Sequence, residues 1–87
     1  MEQEVVEAYE RTSQAQASLA VLRQQVRPTV DESIRLTERA YQNGDVSLLN
    51  VLEATRQRFD VVLREIDAQA AVQRSRAELE RAIGRSL

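Results

Sequence analysis

At 87 residues with 43% hydrophobic side chains, the chain is long enough for one unit but too short for two domains, and it is thin for a self-sufficient core. Twelve arginines and fourteen acids are spread along its length for a net charge of -2, which leaves no concentrated basic surface for nucleic acid and no acidic tail. Cysteine, histidine and tryptophan are absent, so disulfides, thiolate or imidazole metal ligands and the commonest catalytic bases and nucleophiles are excluded.

Two glycines and one proline offer almost no turn chemistry, and only three residues are aromatic, so the composition points to long helices rather than short strands. Met1 is followed by Glu2, Gln3 and Glu4 rather than by a basic segment and an apolar run, and no stretch approaches the roughly 18 apolar residues of a membrane helix. A soluble piece without a visible secretory signal is expected.

The first arm, about residues 2–42, carries Val5, Ala8, Thr12, Ala15, Leu19, Leu22 and Val26 at alternating steps of three and four, a heptad seam. Val30, Ile34, Thr37 and Tyr41 continue it, with consecutive four-residue steps around Pro28 that shift the register. Proline inside a regular helix costs about 3 kcal/mol, and a kink near Pro28 is expected. The alternative is a true break, with residues 29–42 as a separate helix begun by Thr29 or Asp31.

The strong interruption of the pattern falls at about residues 43–46. Gly44 can adopt the left-handed conformation that ends a helix, and Asn43 tolerates it. Ser47 is then the N-cap of the next helix, with Asn50 in the slot of a capping box, and Asp45 is the competing cap.

The second arm, about residues 47–84, shows a main line through Leu48, Leu52, Thr55, Phe59, Val62, Ile66 and Ala70 and a companion line through Val51, Ala54, Val61 and Ala68. Two apolar lines imply two neighbours, and the first arm has the same doubling in Val6, Ala17, Ala20, Val21, Leu36 and Ala40. Ala77, Leu79 and Ile83 restore the pattern before Gly84, which reads as the stop. Glu7/Arg11, Asp31/Arg35 and Asp60/Arg64 have the acid-before-base spacing of four that supports a helix face by about 0.3–0.5 kcal/mol each. The expected fold is therefore an all-α, long antiparallel two-helix coiled-coil hairpin, which pairs with a second copy as a dimer or higher oligomer to cover its spare seams.

The run Tyr41-x-x-Gly44-x-x-Ser47-x-Leu49-x-Val51-Leu52-x-Ala54 resembles the periplasmic hairpin tip of the TolC-type outer-membrane efflux channels. Upstream, Val26-Arg27-Pro28 followed by Ser33 and Leu36 is similar to the approach found in the heavy-metal branch of that family; downstream, Ala77 to Gly84 is similar to its usual helix ending. The resemblance covers nearly the whole chain. One position departs, since the family often has Asp before the Val-Leu pair where Asn50 stands here.

The resemblance implies one periplasmic hairpin of an outer-membrane protein whose three chains each give two hairpins to a closed α-helical barrel. It implies that Gly44, Asp45, Val46, Ser47 and Leu48 meet the hairpin tips of a periplasmic adaptor, that Tyr41 helps form the constriction at the closed end, and that an inner-membrane pump is engaged indirectly. Two rivals are a free-standing structural coiled coil and the hairpin of the adaptor itself.

No enzymatic activity, cofactor or specific metal site is expected. Acid pairs such as Glu4/Glu7 and Glu78/Glu80 lie among arginines without the apolar pocket that raises a carboxyl pKa, and scattered carboxylates suit only weak binding of hard cations.

Overall fold

The computed structural model describes residues 2–87, and the regular structure among them is helical throughout. The first arm comprises α1 (Glu2–Val21), a π-helical turn (Leu22–Val26) and α2 (Arg27–Gln42), which follow one another without a break; the second arm is one helix, α3 (Leu48–Ser86). The two arms lie antiparallel in a rod of 65 × 15 × 12 Å, the length that roughly 40 residues give at about 1.5 Å each.

On the first arm the heptad seam lies inward as its spacing requires. Ala8 and Thr12 are buried, and Val5, Ala15, Leu19, Leu22, Val26, Val30, Ile34 and Thr37 are half-buried against α3. The stripe ends differently from expectation, because Ala40 takes the inward place and Tyr41 is 44% exposed. An alanine lets the backbones converge on a short turn, where a phenol ring would hold them apart.

On α3 the companion line is the inner one. Ala54, Val61, Glu65, Val72 and Ala82 are buried, whereas Leu48, Leu52, Phe59 and Ile66 of the line expected to lead all face outward. Side-chain size decides which line turns inward. Arms that close need small residues between them, and buried alanines supply them near both ends of the rod, Ala8 and Ala82 at one cleft and Ala54 towards the tip.

The register shift of the first arm is resolved in the π turn, where the Arg27 N–H donates to the Leu22 carbonyl, five residues back. Leu22, Val26, Val30 and Ile34 are three successive four-residue steps, each overshooting the seam by about 40° in a regular α-helix. One extra residue in a widened turn absorbs that drift. Pro28 follows directly, in the first turn of α2, and the Thr29 hydroxyl donates to the Gln25 carbonyl at 2.8 Å. The missing proline donor thus falls beside a turn that is already widened, and the arm passes through it without ending.

The ion pairs form chiefly between the arms rather than along them. Glu4 pairs with Arg85 at 3.7 Å, Arg11 with Glu78 at 3.2 Å, Arg27 with Glu65 at 3.3 Å and Asp31 with Arg58 at 3.2 Å. Arg11 and Asp31 therefore leave the partners that spacing assigned them, and Arg35 turns to Glu32. The cause is reach: long side chains flanking a narrow seam span it as easily as one helical turn. Apart from Arg27–Glu65, whose acid is buried, these are solvent-exposed pairs that contribute about 0–1 kcal/mol each, so they order the arms more than they hold them.

Gly84 does not stop α3. The helix runs through it to Ser86, the Leu87 N–H still donates to the Ile83 carbonyl at 3.2 Å, and positive φ among the glycines occurs at Gly44 alone. A glycine ends a helix only where the chain takes up the left-handed conformation, and the chain does not do so there.

Candidate docking site at the hairpin tip

The first arm ends in a Schellman motif. Gly44 has φ 81°, its N–H donates to the Tyr41 carbonyl at 3.0 Å, and the Asp45 N–H reaches back to the Ala40 carbonyl at 2.8 Å. Both bonds satisfy carbonyls that a bare helix end leaves to water. A Cβ built on Gly44 would meet nothing within 4 Å, so the site needs glycine for its backbone conformation and not for want of room.

The second arm begins in a capping box. Ser47 has extended backbone angles, φ -83° and ψ 163°, and the Asn50 side-chain carbonyl accepts from the Ser47 N–H at 3.2 Å and from its hydroxyl at 2.9 Å. Asp45, the alternative cap, belongs through its backbone to the Schellman motif of the first arm and lies two residues before the Ser47 cap of α3. Asn50 fills the role at the box position where an acid is common, with an acceptor but no charge.

These two locks bring Tyr41 and Gly44 to Leu48 together at one end of the rod. Gly44, Asp45, Ser47 and Leu48 are exposed and Val46 is half-buried. Leu49, part of the motif but given no role from its spacing, is 66% exposed and stands beside Leu48 and Leu52. The end of the hairpin therefore presents a small, rigid turn with apolar side chains at its shoulder and one carboxylate, suited to contact and not to chemistry.

The sides of the rod are unfinished. At 3.6 residues per turn, the outward line of Leu52, Phe59 and Ile66 lies roughly 160° around α3 from the inward line of Ala54, Val61 and Ala68. On the first arm Val6, Val21 and Leu36 are exposed away from the seam. Each helix has one neighbour and an apolar face for a second.

A thin hairpin with a locked tip and a spare apolar face on each arm belongs to the class of helical modules that work as parts of larger walls. The family model described as outer membrane efflux protein matches residues 2–85, and the chain belongs to that family of transport channels. Comparison with curated proteins and with solved structures gave no significant match. None of the helices among the described residues is long and apolar enough to cross a membrane.

Proposed function

We propose that this chain is a periplasmic hairpin of an outer-membrane efflux channel of the TolC type, from its heavy-metal branch, whose tip docks the helical hairpin of a periplasmic adaptor. The observation that carries this reading is the turn from Gly44 to Leu48, locked by a Schellman motif and a capping box and exposed at the end of a rod 65 Å long. Single contacts of so small a surface are weak. A ring of such tips on one channel raises their effective affinity together, which suits the trimeric, adaptor-linked assembly of the family.

The wall geometry supports the same reading. Three chains with two hairpins each give about twelve staves, and such a ring sets each stave's neighbours roughly 150° apart, close to the roughly 160° between the two lines of α3 at 3.6 residues per turn. Tyr41, exposed one turn before the tip, is assigned to the constriction of the resting channel. A free-standing two-helix coiled coil does not require a second apolar line, which weighs against that rival.

Cysteine replacements from Asn43 to Leu48 in the full-length channel, crosslinked to candidate adaptors, test the docking role. Crosslinks concentrated at the turn and fading along both arms are expected. Efficient crosslinking only from arm positions would overturn it.

A further inference from the structure

We infer that the tip half of α3 is also a self-pairing face, on which a second copy of this chain docks antiparallel. The carrying observation is a set of charges with no partner inside the hairpin. Glu53, Arg56, Asp60 and Arg64 alternate in sign along the flank of the outward line of α3, all four are exposed, and none of the ion pairs among the described residues includes them.

Antiparallel pairing of two identical helices about an axis near Arg58 sets residues on this flank against the same flank of the other copy. Glu53 then faces Arg64 and Arg56 faces Asp60, each contact occurring twice by symmetry. The same operation sets Leu52 against Val62 and Ile66, and Thr55 against Val62, with both Phe59 rings beside the axis. Phe59 is 66% exposed, Ile66 58% and Leu52 57%, so the covered strip is an exposed apolar surface of the rod.

Parallel pairing fails the charge test, because it opposes this flank to the other one, which carries Thr55 and Val62. Charge pattern thus selects both the occupant and its direction, as it does in coiled coils where flanking residues choose the partner. The inference goes beyond docking at the tip, since the self-paired face cannot at the same time serve an adjoining stave. The dimer is a state of the chain outside an assembled wall, with this apolar strip covered.

Sedimentation of the 87-residue chain with charge-reversed variants tests this directly. A dimer at tens of micromolar is expected for the native chain. Arg56→Asp and Asp60→Arg singly should each weaken it by about tenfold or more, and the double reversal R56D/D60R should restore it to within about threefold. Phe59→Arg should leave a monomer with helical circular dichroism intact. Orientation is read separately with a flexible thiol crosslinker: a mixture of Leu52→Cys and Ile66→Cys chains should link to each other in preference to themselves. A monomeric native chain, single reversals without effect, or self-linking of the Leu52→Cys chain in preference to the mixed product would each overturn the proposal.

Discussion

Arg27 Nη1 lies 3.3 Å from Glu65 Oε2, and the other carboxylate oxygen of Glu65 is buried with no partner among the described residues. The pair sits beside the π turn, in mid-rod, where the seam would otherwise be apolar. The Glu65 side chain is only 10% exposed while that of Arg27 is 45% exposed, so the acid bears most of the desolvation and gains one bond in return.

Two substitutions follow from this imbalance and act in opposite directions. Arg27→Ala should destabilise the hairpin by about 1–3 kcal/mol, because it strands a buried carboxylate. Glu65→Leu should be neutral or stabilising by about 1–4 kcal/mol, because an apolar side chain fits the surrounding seam without an unmet lone pair. Urea denaturation followed by circular dichroism distinguishes the two. Equal losses from both would mean that the pair is a net stabiliser.

At the tip, the open space around Gly44 separates strain from crowding. With φ at 81° and nothing within 4 Å of the place a Cβ would take, Gly44→Ala should cost about 1–2 kcal/mol from backbone strain alone. Gly44→Asn should cost less, since asparagine tolerates the left-handed region, and Gly44→Val more, since a β-branched residue does not. Thermal denaturation of the three variants should rank them in that order, asparagine mildest and valine worst. In the full-length channel, Gly44→Val should also weaken adaptor crosslinking at the turn.

The start of α3 offers a test with a gain. Asn50→Ala removes the acceptor shared by the Ser47 N–H and hydroxyl and should cost about 0.5–2 kcal/mol, as loss of capping usually does. Asn50→Asp keeps the acceptor and adds negative charge at the positive end of the helix dipole, which is worth about 0.3–1 kcal/mol at low ionic strength. Melting temperature should therefore fall for the first and rise for the second. The rise should shrink as salt is added.

Most of the architecture was legible because helix patterning is local. Gly44, Ser47 and Asn50 declare the turn by chemistry that acts over a few residues, and the seam of the first arm is visible in its spacing. What depends on the other arm was not legible. Which of the two lines on α3 turns inward, Ala40 in place of Tyr41, and the partners of Arg11 and Asp31 are decided by the distance between the arms, which spacing along one helix does not encode. At the tip the place of the turn was legible from Gly44 and Ser47, but the outward exposure of Leu48 and Leu49 was not, because apolar spacing along α3 does not say which of its faces meets the first arm. Gly84 shows the converse limit, for a residue type that often stops helices passes unnoticed inside one.

The π turn leads to the sharpest structural prediction. If Leu22–Val26 holds one residue more than a regular turn, deleting Gln24 should restore an ordinary α-helix while keeping Leu19, Leu22, Val26 and Val30 on the inward face. Gln24 is exposed and makes none of the side-chain bonds across the seam, whereas its neighbour Arg23 donates to Gln69 at 3.2 Å and should be spared. Deleting Ser18 instead, in the regular part of α1, turns every preceding seam residue by about 100° relative to α3 and exposes Ala8 and Thr12. The Gln24 deletion should therefore retain native helicity and a melting temperature within a few degrees of the parent chain, while the Ser18 deletion should melt far lower. Equal damage from the two would show that the widened turn is not where the extra residue is taken up, and that Pro28 with its lost donor, not the three four-residue steps, is the reason the turn exists.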